Sequence, residues 1–294
     1  MCGSIPLRGA TRYLARSPSP DPMPLDFPIA RTAFYCTALR ADDAAAPHPV
    51  CNDHLAARFV TPEIRQLMAP ALAHPGPAAS NVARHRIIDD LLRAALAADP
   101  TRRILLQGAG FDTRAFRLPG GRWVEVDDPG LLAYKEARLP AAEAPNPLTR
   151  IAIDFATESV RERLAPLAGD DPVLIVLEGV LMYLPDEVIV ELGRTFLALF
   201  PNHQLLADVQ SPKFRRRYAG PIALELEKLG AHFADRHEPP ATLLARAGYR
   251  RVAATSIIGA AVDHGSLKFP RWLLATLLRE LRDGYAIWQL EGAG

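Results

Sequence analysis

The chain has 294 residues, enough for one large α/β domain or two modest ones, and 49% of them are hydrophobic, which is ample for a buried core. Lysine plus arginine (34) nearly balances aspartate plus glutamate (33), so no global field exists to hold nucleic acid or an anionic membrane, and the one dense basic run, Arg215 to Arg217, reads as a solvated helix face. The cysteines Cys2, Cys36 and Cys51 form no C-x-x-C pair, which argues against a disulfide scaffold or a zinc site and for a reducing, cytoplasmic setting.

Residues 1–28 are rich in proline and arginine without a sustained apolar segment and are expected to be disordered or loosely attached. Arg8, Arg12 and Arg16 faintly suggest a transit peptide, and Met23 is an equally good start. Residues 29–294 read as one domain. A helix is expected from Ile29 to Leu39 and another segment from His54 to Phe59, after the proline-broken PHPVCNDH. Residues 81–98 place Ile87, Leu91, Leu92, Ala95 and Leu96 on one helical stripe, with Asn81 as the N-cap. Ile104 to Gln107 is a strand that empties into Gly108-Ala109-Gly110, and Trp123 to Val126 a second strand that ends on Asp127.

A helix from Gly130 to Leu139 leads through AAEAPNP to a third strand, Arg150 to Phe155, which carries Asp154. PVLIVLEGVLMYLP is apolar on both faces, as a central parallel strand requires, and Glu178 interrupts it. A carboxylate there must meet cations, donors or water. Pro185-Asp186-Glu187 opens a helix to Phe200, with proline and acids at its positive end. Gln204 to Val209 is a fifth strand, 212–235 one or two helices laid over the sheet edge, and Pro239 to Ala247 a helix stopped by Gly248. Arg250 to Ile258 and Tyr285 to Gln289 close the chain as paired strands. The expected fold is α/β, a mostly parallel sheet with an antiparallel edge and helical caps near 29–70 and 212–235. The apolar runs, of about eight residues at most, are too short to span a bilayer.

A strand, a Gly-x-Gly turn and, about twenty residues on, an acid at the tip of the next strand describe a nucleotide-binding βαβ unit. Gly108 and Gly110 permit torsions and a close ligand approach, and an ionised Asp127 can accept from both hydroxyls of a ribose. Thr113 stands where a dinucleotide fingerprint wants glycine or alanine, and Asp112 would repel a phosphate. A phosphate-free adenosine ligand such as S-adenosyl-L-methionine therefore fits better than NAD(P) or FAD. The G-x-S-x-G, H-E-x-x-H and G-x-x-x-x-G-K-[ST] patterns are missing from the sequence.

With Arg84, GAGFDTR, VEVDDP, Ile153-Asp154 and LEGVLMYLP in that order, the chain resembles the leucine carboxyl methyltransferase family, including its bacterial polyketide O-methyltransferase branch, over roughly residues 30–260. The resemblance implies a Rossmann-like, seven-stranded class I methyltransferase sheet with helices on both faces, and S-adenosyl-L-methionine as cofactor. It implies that Arg84 pairs with the cofactor's methionyl carboxylate in a charge-assisted contact for which a guanidinium has bidentate capacity, and that Gly108 and Gly110 admit the methionyl chain. It further implies that Asp127 holds the ribose, that Asp154 and Phe155 take the adenine, and that Glu178 lies beside the methionyl portion. Tyr183, Met182 and Leu184 are candidates for the acceptor pocket. No metal ligand and no catalytic acid or base is implied, because a carboxylate acceptor is already ionised; a phenol or alcohol would need a base, for which His85, His203 and His232 are candidates. The arginine that follows the Asp-Leu pair in the protein-phosphatase-methylating members is replaced, in Asp154-Phe155-Ala156. A small-molecule carboxylate of polyketide type is therefore favoured over a protein C-terminus, with a catalytically silent cofactor-binding protein as a further alternative. The oligomeric state is left open.

Overall fold

The computed structural model describes residues 28–293. The expected loose extension at 1–28 falls outside these residues apart from its last position. Seven strands form one sheet: β1 (Arg103–Gln107), β2 (Arg122–Asp127), β3 (Leu148–Ala152), β4 (Val173–Leu177), β5 (His203–Gln210), β6 (Tyr249–Ser256) and β7 (Tyr285–Gly292). Their order is β3-β2-β1-β4-β5-β7-β6, and β7 runs antiparallel to both its neighbours while the other pairs are parallel. The reversed strand thus lies one place inside the edge. The outer strand β6 is largely exposed and carries Arg250 and Arg251, charges that blunt an unpaired sheet edge.

The residues of β4 are all buried, and β4 sits between β1 and β5. Alternating side chains feed two cores. Leu105, Val126, Ile175 and Leu177 pack on α7 (Asp186–Leu199) and α10 (Pro240–Ala247), while Ile104, Leu106, Leu174 and Val176 pack on α3 (Pro75–Ala98) and α11 (Ile257–Asp263). At about 25 cal/mol per Å² of apolar surface, these two layers supply the main stabilisation. A third cluster stands above the carboxyl edge of the strands. There α1 (Pro28–Ala44), a 3₁₀ turn at Ala56–Phe59 and α2 (Pro62–Leu72) enclose Phe34, Phe59, Phe111 and Tyr134, with ring centroids of Phe34 and Phe59 4.7 and 4.8 Å from that of Phe111.

Several boundaries differ from expectation. Helix α3 begins six residues early because Pro75 pre-sets its first turn, so Asn81 lies buried inside it and does not cap it. The crossover from β1 to β2 contains only the four-residue α4 (Arg114–Arg117), cut short by Pro119 and by Gly120 and Gly121, both in left-handed conformation. Glu178 follows β4 and does not lie within it, and β3 stops at Ala152, two residues before Asp154. The cap over the edge resolves into α8 (Pro212–Tyr218) and α9 (Gly220–Lys228). Besides α5 (Pro129–Arg138) and α6 (Val160–Leu164), the chain between β6 and β7 forms three short helices that periodicity missed: α11, α12 (Arg271–Ala275) and α13 (Arg279–Asp283). None of the helices among the described residues is long and apolar enough to cross a membrane.

Candidate active site

The glycine turn takes the shape the sequence asks of it. Gly108 has φ +71° and Gly110 φ +50°, and the amides of Gly108 and Ala109 both donate to the Val126 carbonyl, at 2.8 and 3.1 Å. A Cβ at Gly108 would stand 2.6 Å from Val180 Cγ2, whereas one at Gly110 would meet Ala33 Cβ of α1 at an ordinary 3.5 Å. Gly108→Ala is therefore expected to destabilise the fold by about 1–3 kcal/mol and Gly110→Ala by less. Urea unfolding of both variants checks this ranking, and equal midpoints would refute it.

Asp127 ends β2 directly beside this turn. Its Oδ2 accepts from Gly110 N at 2.6 Å and its Oδ1 from Asp128 N at 2.7 Å. Burial pushes this carboxyl up to about 6, against those two hydrogen bonds. Asp128 caps α5 by accepting from Gly130 N and Leu131 N. One strand over, Asp154 Oδ1 accepts from Ala156 N at 2.9 Å and its Oδ2 from Thr157 Oγ1 at 2.8 Å, a local turn that fixes the carboxylate at the sheet edge. Phe155 next to it is 37% exposed, the kind of apolar face on which a planar base can rest.

Arg84 is buried on the other side of β1, among groups of β5, β7 and the end of β4, and its guanidinium is largely committed. Its Nε donates to Glu178 Oε1 (3.1 Å) and its Nη1 to Asp208 Oδ2 (3.2 Å) and Tyr285 Oη (3.0 Å), while Nη2 approaches Cys36 Sγ at 3.8 Å. Glu178, Asp208 and Tyr285 thus occupy Nε and Nη1, while the approach to the Cys36 sulfur falls to Nη2. Glu178 is in turn surrounded: its Oε2 accepts from Arg114 Nη1 at 2.8 Å and lies 3.3 Å from His85 Nδ1. Burial works against its charge, but Arg114, His85 and Arg84 outweigh that and hold the carboxyl well below the usual range.

These groups belong to a buried ionic network of which the sequence showed only the ends. Arg114, fully buried, bonds Asp89, Asp112 and Glu178; Arg117 bonds Asp89 and Thr113; and Arg40 joins Asp53 to the Phe111 carbonyl, pinning α1 onto the glycine turn. Asp53 and Asp89 are held below the usual carboxylate range, Asp53 at about 2: burial opposes this, and Arg40 and Arg117 outweigh it at Asp53, Arg114 and His85 at Asp89. His85, Asp112 and Glu178 have metal-ligand spacing, but the Arg114 guanidinium fills the space between them. Arg40, Arg84, Arg93, Arg114 and Arg117 face Asp53, Asp89, Asp112, Glu178 and Asp208, so positive and negative side chains interleave through the network. Asp208 left the same trace as Glu178, an acid in an apolar strand, whereas Asp53 and Asp89 left none.

One expectation changes here. Asp112 spends its charge on Arg114 and on Arg114 N (2.7 Å), so its repulsion of a phosphate is neutralised; what disfavours a pyrophosphate is that the four-residue α4 has no dipole of consequence and a first amide already bonded. Two of the three candidate histidines, His85 and His203, are buried and hydrogen-bonded within the protein. Burial and then Arg114 lower the pKa of His85, with Arg117 Nη2 2.8 Å from its Nε2. His203 opens β5 at the opposite end of the sheet, against the Phe200 carbonyl and Tyr249 Oη, and His232 is exposed.

A roof closes the edge. Tyr183, in the 3₁₀ turn Leu181–Tyr183, stacks on Phe233 with centroids 5.3 Å apart, Ala234 N donates to the Met182 carbonyl, and Arg236 donates to the Leu181 carbonyl at 2.7 Å. Leu184 packs against the core on the α7 side, and Met182 is half-buried.

The sequence model described as leucine carboxyl methyltransferase matches residues 33–196. A protein from Parafrankia sp., provisionally named an S-adenosyl-L-methionine-dependent methyltransferase, is 35% identical over 177 residues, covering 54% of this chain and 56% of that one. A similarly named protein from Mycobacteroides abscessus is 32% identical over 222 residues, 69% of this chain and 68% of that one. The chain thus spans little more than half the length of the first of these relatives. A provisionally named methyltransferase from Thermobifida fusca has a structure similar in fold, with a TM-score of 0.58 at 18% identity over 93% of this chain and 98% of that one. The matched segment runs from α1 through the glycine turn, Asp127, Asp154 and Glu178 into α7, so the blocks that meet at the carboxyl edge of the sheet are those the family model recognises: the chain belongs to the leucine carboxyl methyltransferase family.

Proposed function

We propose that the chain is an S-adenosyl-L-methionine-dependent O-methyltransferase acting on the carboxylate of a small acidic molecule, of polyketide type or another secondary metabolite. The observation that carries the reading is Asp127, a buried carboxylate anchored by the Gly110 and Asp128 amides beside a glycine turn on which any Cβ at Gly108 would collide. A ribose with two free hydroxyls fits that acceptor. The names of the relatives point the same way.

When bound, the donor supplies an electrophilic methyl group on sulfur. Asp127 holds the ribose, Phe155 flanks the base with Asp154 accepting from its amino group, Gly108 and Gly110 leave room for the methionyl chain, and Arg84 presents Nη2 to its carboxylate. Glu178 acts at one remove, orienting Arg84 through Nε. Helix α1 and the roof at 229–238 exclude water and line the acceptor side with Tyr183 and Phe233. An acceptor carboxylate is ionised at neutral pH, so alignment and desolvation suffice and no base is required. The exposed Phe155-Ala156, in place of an acceptor-gripping arginine, favours a small molecule over a protein C-terminus.

Incubation of a metabolite extract with the chain and methyl-labelled donor, followed by mass spectrometry, tests this. The expected product carries one labelled methyl that mild alkali releases as methanol. Label that survives alkali would overturn the carboxyl assignment, and the absence of any labelled product would favour a silent cofactor binder.

A further inference from the structure

Two buried polar atoms near Arg84, Asn81 Oδ1 and Tyr35 Oη, have no hydrogen-bond partner among the described residues. Asn81, one helical turn before Arg84 on α3 and 7% exposed, donates from Nδ2 to Cys36 Sγ at 3.1 Å, but its Oδ1 receives no hydrogen bond. Tyr35, adjacent to Cys36 on α1 and 4% exposed, has a phenolic Oη that is likewise unsatisfied. The Cys36 sulfur is approached both by Asn81 Nδ2 and by Arg84 Nη2. A buried polar group left without a partner costs about 1–3 kcal/mol, which leucine and phenylalanine at these positions would avoid. Asn81 is thus tied through the Cys36 sulfur to the Nη2 edge of Arg84. Burial raises the Tyr35 hydroxyl, and the Arg84 charge pulls it back, consistent with their proximity.

An unused acceptor, an unused hydroxyl and a guanidinium edge grouped in this way complement a zwitterion. We propose that Asn81 and Tyr35 bind the α-amino-acid end of the methyl donor, Asn81 Oδ1 accepting from its ammonium while Tyr35 Oη joins Arg84 Nη2 in donating to its carboxylate. This rests on the function proposed above and adds two residues to which the sequence had assigned no ligand role. It also explains why Asn81 is kept inside a helix, where the side chain caps nothing.

The test compares two ligands on the full chain by isothermal titration: S-adenosylhomocysteine, which carries the amino-acid end, and 5′-methylthioadenosine, which lacks it. Asn81→Leu and Tyr35→Phe are each expected to weaken S-adenosylhomocysteine about tenfold and to leave 5′-methylthioadenosine within about twofold of the parent. Asn81→Asp keeps an acceptor and is expected to retain S-adenosylhomocysteine binding. Near-ultraviolet circular dichroism reports whether each variant keeps its packing, and Tyr35→Phe, which removes one oxygen, stands as a test even where Asn81→Leu disturbs α3. Equal losses for both ligands, or no loss for either, overturn the assignment while the cofactor reading stands. If the parent chain binds neither ligand, the cofactor reading falls and takes this inference with it.

Discussion

Arg114→Ala is expected to lower the stability of the folded chain by about 3–5 kcal/mol, because it removes one partner from a buried charge cluster and leaves the rest uncompensated. The Arg114 side chain is fully buried, and Asp89, Asp112 and Glu178 all converge on it, with contacts of 2.6 Å to Asp89 and 2.8 Å to Glu178. In a domain of this size such a loss moves the thermal midpoint on the order of 10 °C. The exposed pair Arg250–Glu291 is the control, and Arg250→Ala is expected to cost below about 1 kcal/mol. The acid limb carries the same information. Asp53, Asp89 and Glu178 have folded values below their unfolded ones, so the stability they contribute is present above the unfolded carboxylate range and is lost as pH falls towards about 2. Without Arg114 the folded values of Asp89 and Glu178 rise and that limb flattens. Denaturant melts between pH 3 and pH 7 measure both effects, and an Arg114→Ala midpoint indistinguishable from that of the parent would show that the network does not hold the site together.

Asp127→Ala is expected to weaken S-adenosyl-L-methionine binding by about 10²- to 10³-fold, as two hydrogen bonds to a charged acceptor are lost. The pH dependence is more diagnostic. Burial raises the folded value to about 6, above the unfolded one, so this group favours the fold increasingly as pH falls from about 6 towards 4, opposite in sense to Asp53 and Asp89. Ligand affinity moves the other way. Ribose hydroxyls need an ionised acceptor, and affinity is expected to fall about tenfold per pH unit below about 6. Asp127→Asn keeps the shape of the side chain and is expected to bind weakly with a flat profile. An Asp127→Asn variant that retained the parental slope would assign the titration to another group and remove Asp127 from the ribose.

Both predictions turn on one physical feature, the concentration of ionised side chains at the carboxyl edge of an apolar sheet. Arg84 illustrates it. Its charge is balanced by Glu178 from the end of β4 and Asp208 from β5, while Tyr285 from β7 donates to the same Asp208 oxygen at 2.9 Å. Three elements far apart in the chain thus set the direction in which its remaining edge points. Such a network stays put without a ligand, which keeps the guanidinium aimed and lowers the reorganisation that binding would otherwise demand.

Local pattern alone determined most of the architecture. The alternation of short apolar runs with amphipathic helices marked each strand of the sheet, and the glycine pair with Asp127 marked the turn between β1 and β2, because backbone torsion and strand-end acids depend on neighbours in sequence. Glu178 was legible as an anomaly, since an acid after VLIVL demands a partner wherever it folds. Only the tertiary structure decided what those partners are. Arg117, Asp53 and Asp89 carried no signal and Arg114 was legible only as part of the GAGFDTR block, because their ion pairs join residues as far as 64 positions apart and the sequence records no such distances. For the same reason Asn81, a plausible cap by residue type, became a buried amide once Pro75 began the helix a turn and a half earlier, and Arg84 acquired Glu178, Asp208 and Tyr285 as partners.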